Sequence, residues 1–237
     1  MAGVVLAAGA GTRLRPLTDE RPKALCPVAG VPLVDLALDR LGTVTDRVAV
    51  NLHHGRHRLA DHLEGRAHLS VERDRVLGTA GALGHLRDWI DGAPTVVVNA
   101  DAWCPGGLEH LVAGWDGRRV RILVPGGGRF GPRVPVAAAL LPWYAVEPLV
   151  AEPTGLYEVC WAPADAVGAL EVVAHPGPFV DCGTPAEYLR ANLSASGGDP
   201  VIGVGAVVEG AVARSVVWDG AQVTAGERLA GAVRTTG

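Results

Sequence analysis

Residues 3–18 read GVVLAAGAGTRLRPLT. Gly3 to Ala8 is a short, unbroken apolar run that ends in a glycine-rich turn. That is the pattern of a buried strand in a parallel sheet, where both faces are covered and no polar alternation survives. The turn then lies at the carboxyl end of a strand, the edge at which open α/β sheets bind ligands. Gly9 and Gly11 remove the Cβ atoms that would keep backbone N–H groups from phosphate oxygens, and Arg13 adds a planar donor fork. A lone Gly-x-Gly is a weak signal. A dinucleotide fingerprint needs a third glycine where Leu14 stands, and the Gly-Lys-Ser/Thr of a Walker loop is absent.

Outward from this stretch, strand and helix patterns alternate. Leu33, Leu36, Ala37, Leu38 and Leu41 recur at helical spacing. Arg47 to Leu52 and His68 to Glu72 read as strands around a helix near Leu59 to Leu63. Ala80 to Ile90 reads as a helix, Thr95 to Asn99 as the clearest strand, Gly107 to Trp115 as a helix and Arg121 to Pro125 as a strand. The alternation predicts right-handed βαβ units. From Gly126 to Pro153 glycine, proline and arginine break the pattern, and irregular chain is expected. Leu156 to Trp161, Leu170 to Ala174 and Phe179 to Val180 are later strand candidates, followed by a helix over Pro185 to Leu193.

After Ser194 to Gly198 the period changes. Ile202 and Val208 are six apart, as are Val217, Val223 and Leu229 after a phase slip. Small apolar residues at that period resemble the hexapeptide repeat of a parallel β-helix. The expected architecture is an α/β domain over residues 1–197, with a Rossmann-like, mostly parallel sheet, and a short left-handed β-helix tail over 198–237. So small a coil must be covered by its own domain or by a second subunit. Trp218, next to the inward Val217, should point out of the coil and serve as the anchor. A homodimer is favoured for that contact over docking on the same chain.

The 237 residues are 49% hydrophobic and 19% charged, with a net charge of −4. No basic run offers a footprint for nucleic acid, so any phosphate site must be local. The apolar stretch Val134 to Val146 is shorter than the ~20 residues of a membrane helix, and Pro135 and Pro142 interrupt it. Cys26, Cys104, Cys160 and Cys182 have no metal-ligand spacing, and with no signal-peptide pattern at the start the expected compartment is a reducing cytoplasm. His53, His54, His57 and His62 cluster at a strand end and on a helix and are read as exposed rather than as metal ligands. Lys23 is the sole lysine among 21 basic residues, which singles out a place where a compact ammonium is wanted.

The continuation of the opening motif adds specificity. LAAGAGTRLRPLTDERPKALCPVAGVPL resembles the signature of the sugar-phosphate nucleotidyltransferase family. LGTAGALG from Leu77, VVVNADAW from Val96 and FVDCGTPAEYLRAN from Phe179 resemble three further motifs of that family, in family order. The resemblance implies transfer of a nucleoside monophosphate from an NTP to a sugar 1-phosphate, with Mg2+ as cofactor. It implies catalytic roles for Arg13 and Lys23, and metal binding by Asp101 and Asp181. Nucleotide binding would fall to Leu6, Ala8, Gly9, Gly11, Thr12, Gly78, Thr79, Gly81 and Asp101, with the last glycines facing the base. Sugar binding would involve Glu152 and Gly155. GTP is the favoured donor, with a uridylyl- or thymidylyltransferase as the alternative. Many relatives carry a second lysine in an EKP-like motif. Here Glu152-Pro153 is the candidate remnant, and Arg129 or Arg133 the candidate substitute. The missing lysine also keeps open a reading as an inactive, nucleotide-sugar-binding regulator.

Overall fold

Seven strands form the main sheet of the protein, seen in a computed structural model that describes residues 1–128 and 130–236. They are β1 (Ala2–Leu6), β2 (Val48–Leu52), β3 (His68–Val71), β4 (Thr95–Asn99), β5 (Val120–Pro125), β6 (Ala138–Leu141) and β7 (Leu170–His175). Their order across the sheet is β7-β5-β6-β4-β1-β2-β3. All neighbours are parallel except β6, which is antiparallel to both β4 and β5. The unbroken apolar runs of β1 and β4 sit at the centre, with Val4, Val5, Val96 and Val98 buried, as expected for strands covered on both faces. Helices α1 (Leu33–Gly42), α2 (Arg56–Leu63) and α3 (Gly78–His85) lie on the connections.

The sheet belongs to one of two compact units, built from Met1–Ala10, Val34–Ala100 and Cys104–Phe179. Within it the structure corrects three expectations. The stretch 126–153 is not irregular throughout, because β6 enters the sheet there with all four residues buried. Its run of alanine and leucine has no period to read, and the prolines around it mask a strand. Leu156 to Trp161 is helical rather than extended, continuing into Ala162–Ala166. Leu156, Cys160 and Ala164 are its buried residues, one per turn, a helical period hidden by Tyr157, Val159 and Trp161. The helix expected from Gly107 to Trp115 is only Glu109–Val112.

The second unit comprises Gly11–Leu33, Asp101–Trp103 and the chain from Val180 onward. Gly11–Leu33 winds through short helical turns at Thr12–Leu14, Leu17–Glu20 and Lys23–Leu25. Ala102–Trp103 pairs antiparallel with Val180–Asp181. Helix α4 (Pro185–Ala195) starts on Thr184, whose Oγ1 accepts from Glu187 N, with proline in the first turn. The tail is a β-helix stub of parallel coils. Ile202 stacks on Val217 and Val217 on Arg234, Val208 on Val223, and Val212 on Leu229. Val217, Ala221, Val223 and Leu229 form its buried interior.

The anchor role of Trp218 is fulfilled by its own chain, which corrects the preference for a subunit contact through this residue. Trp218 is 1% exposed. Its Nε1 donates to Tyr188 Oη at 3.0 Å, the two rings meet edge to face, and the Arg21 guanidinium lies over the indole at 4.0 Å.

Candidate active site

Lys23 lies at the centre of the candidate site in the second unit. Its turn is opened by Pro22, and its stem is pressed against Gly11, where any Cβ would come within 2.9 Å of Lys23 Cβ. Gly11 has φ of +64°, a conformation that a side chain disfavours. Thr18 Oγ1 donates to Gly11 O at 3.0 Å and closes the loop. The side chain of Lys23 is therefore 9% exposed, and its Nζ lies 2.9 Å from Asp101 Oδ2 and 3.7 Å from Asp181 Oδ1.

The aspartates arrive on paired strands. Asp181 is in register with Ala102, and Cys182 N donates to Asp101 O at 2.9 Å. Both carboxylates are about half exposed, at 46% and 52%. Arg13 reaches Asp181 Oδ2 at 3.8 Å from an open position. Gly183 leaves room for this group, since a Cβ there would lie 2.9 Å from Arg13 Nη2. The structure thus brings Arg13, Lys23, Asp101 and Asp181 together, as the sequence implied, around a single buried-stem ammonium. Thr12 stands exposed at the start of its turn.

Two half-exposed carboxylates facing one another across an ammonium are hard oxygen donors that suit Mg2+, which fills its remaining positions with water and phosphate oxygens. Among the described residues no group of three or more His, Cys, Asp or Glu side chains could hold a metal on its own. The donor set fits a cation completed by substrate. His62 is instead tied to Asp35 at 2.8 Å.

The first unit carries the other motif residues. Leu6 ends β1, paired with Asn51 and Asn99, Ala8 is buried and Gly9 is exposed. A buried polar chain supports this turn, and the sequence reading missed it. Asn51 Oδ1 accepts from Ala7 N at 2.7 Å, Asn51 Nδ2 donates to Glu72 Oε1 at 2.7 Å, and Glu72 Oε2 accepts from Leu77 N at 2.8 Å. A polar Asn51 inside an otherwise apolar strand was the signal. The glycines of α3 are closely packed. Gly78, Gly81 and Gly84 lie against the backbone of 150–154, and a Cβ on Gly81 would stand 2.1 Å from Glu152 O. Gly81 is buried there. Thr79 Oγ1 accepts from Leu156 N at 2.7 Å. Glu152 is exposed and Gly155 half-buried. Arg133 is exposed, and Arg129 lies outside the described residues.

The four cysteines are buried and free. Burial pushes the thiols of Cys26, Cys160 and Cys182 up to about 12, so none is a nucleophile at neutral pH.

The family model for nucleotidyl transferases matches residues 2–124. Over 132 residues the chain is 39% identical to the N-acetylmuramate alpha-1-phosphate uridylyltransferase of Caulobacter vibrioides, covering 50% of this chain and 54% of that protein. It is 27% identical over 113 residues to the bifunctional protein GlmU of Methanocaldococcus jannaschii, covering 47% and 28%. The chain spans about half, or less, of the length of these relatives. Among solved structures, HddC from Yersinia pseudotuberculosis complexed with GMP-PN superposes with a TM-score of 0.64 at 19% identity, over 82% of this chain and all of that one. A UDP-glucose pyrophosphorylase from Acinetobacter baumanii gives 0.65 at 16%, over 81% and 92%. At these identities the likeness is one of fold.

Proposed function

This chain belongs to the nucleotidyl transferase family, and we propose that it transfers a nucleoside monophosphate from an NTP to a sugar 1-phosphate. The observation that carries the reading is the convergence of Asp101, Asp181 and Arg13 on Lys23. In the reaction a phosphate oxygen of the sugar attacks the α-phosphorus of the NTP. The bond from that phosphorus to the bridging oxygen breaks, and pyrophosphate leaves. Two anions must be held in line while negative charge builds on the leaving oxygens, so positioning and fixed positive charge supply most of the acceleration.

Each residue has a part in this reading. Lys23 carries three donors and sits at the carboxylates with its stem immobilised, ready to hold a phosphate oxygen. Arg13, 71% exposed, is free to swing onto the departing pyrophosphate. Asp101 and Asp181 would hold Mg2+, which when bound supplies charge neutralisation at the phosphates. Leu6, Ala8, Gly9, Gly11 and Thr12 would present backbone groups to the nucleotide. Gly78, Thr79 and Gly81 support base recognition by fixing the packing of α3 on 150–154 rather than by direct contact at Gly81. Glu152 and Gly155 would serve in sugar binding. Residues 1–197 carry the chemistry, and 198–237 form an appended element.

For the nucleotide, we take UTP over the GTP that motif resemblance favoured, because the relative at 39% identity is a uridylyltransferase. Its acceptor, N-acetylmuramate α-1-phosphate, is accordingly the first sugar to try. Pyrophosphate release measured for UTP, GTP and dTTP against a panel of sugar 1-phosphates tests this. The expected result is Mg2+-dependent release with UTP and an N-acetylated amino-sugar phosphate. Release only with GTP would reverse the nucleotide assignment, and none with any pair would leave the chain a binding protein.

A further inference from the structure

The turn that carries Lys23 is gripped on both sides by one buried aromatic pair. On the amino side, Arg21 precedes Pro22, which restricts Arg21 to extended backbone, and it has φ of −147° and ψ of 150°. Arg21-Pro22 is thus a stiff two-residue link to Lys23. Its guanidinium is seated over the indole of Trp218 at 4.0 Å. On the carboxyl side, Pro27 O accepts a hydrogen bond from Tyr188 Oη and a second from Asn192 Nδ2. Asn192 Oδ1 also accepts from Ala29 N at 3.0 Å. The two grips are one structure, because Trp218 Nε1 donates to Tyr188 Oη at 3.0 Å. Farther back, Thr236 donates to Glu20 Oε2 through N and Oγ1.

This arrangement is more than a packed tail. The stub's own interior is Val217, Ala221, Val223 and Leu229. Trp218 and Thr236 are spent instead on residues 20 and 21, next to the turn that supplies the ammonium. We infer that Trp218 is a positioning residue for Lys23, acting through Arg21 and, by way of Tyr188, through Pro27. The C-terminal stub is therefore a brace for the reacting lysine. The inference rests on the reading of Lys23 as the group at the reacting phosphates.

The sole lysine of the chain makes a direct test available. Amine acylation followed by peptide mass spectrometry reads the freedom of Lys23 without any turnover. Trp218→Ala should raise the acylation rate of Lys23 about tenfold and lower kcat about tenfold with KM little changed, the signature of an interaction felt in the transition state. Trp218→Phe keeps a ring face for Arg21 and should restore slow acylation and most of kcat. Arg21→Met keeps a stem without a cation and should behave as Trp218→Ala, and it carries the test if the alanine variant does not fold. Wild-type acylation rates in both Trp218→Ala and Arg21→Met would overturn the inference, as would a loss of kcat that Trp218→Phe fails to recover. If the wild-type protein releases no pyrophosphate, the functional reading fails while the acylation comparison still judges the brace.

Discussion

The ammonium of Lys23 is held 2.9 Å from the carboxylate of Asp101, although the two residues are 78 positions apart in the chain. Lys23 is nearly covered while Asp101 is half exposed, so the pair has one fixed partner and one open to ligands. An exposed pair would add little to stability. The relationship is better suited to holding charge in place.

Lys23→Arg should therefore be a severe change despite its conserved charge. The guanidinium is larger and planar, and it would have to replace a compact ammonium held 2.9 Å from Asp101 Oδ2 on a side chain that is 9% exposed. We expect kcat to fall by about a hundredfold, since small misplacements at a reacting centre cost that much. Steady-state kinetics at saturating NTP and sugar phosphate check this, and a near wild-type rate would remove Lys23 from the reaction.

Asp101→Asn and Asp181→Asn should each abolish Mg2+-dependent turnover, because each removes an anionic oxygen from the only carboxylate pair at Lys23 among the described residues. Both side chains are half exposed, so melting temperatures should stay within a few degrees of wild type. Rescue of either variant by raised Mg2+ would indicate a weaker metal site with the chemistry intact.

Gly81→Ala should destabilise the fold by about 1–3 kcal/mol, the range for forcing atoms into a filled core. The new methyl would meet the carbonyl of Glu152. Gly9→Ala, where nothing lies within 4 Å, should leave stability nearly unchanged. Urea unfolding of the two variants makes the comparison, and equal midpoints would refute the packing role of Gly81.

Alkaline pH should weaken the fold through its thiols. Burial raises Cys26, Cys160 and Cys182 from about 9 to about 12. Between those values the unfolded chain releases protons that the folded chain keeps. Stability is then full below about pH 9 and declines as pH rises toward 12. Unfolding midpoints followed from pH 8 to pH 11 check the slope, and Cys→Ser substitution at the three positions should flatten it.

The parts of this molecule that were legible in the sequence are those whose period or punctuation is local. Gly3 to Ala8 announced β1, and Thr95 to Asn99 is a strand with the bounds it was read to have. The four charged residues of the site stood out because each sat in a motif, and the fold brought them together. What the sequence concealed depends on distant partners. Ala138–Leu141 is a strand because two other strands flank it. Asn51 and Glu72 matter because they face each other across 21 residues. Trp218 was legible as an outward anchor, but only tertiary structure chose Tyr188 and Arg21 as its cover.

The reversed strand β6 has a consequence for how the chain is made. It slots between β4 and β5, both of which precede it in sequence. In a nascent chain β4 and β5 therefore lack their shared neighbour until residues 138–141 appear. The matched segment 2–124 expressed alone would lack β6 and β7, leave one edge of β4 and both edges of β5 unpaired, and invite edge-to-edge aggregation. Adding back a peptide that spans β6 and β7 would be the natural way to quench it.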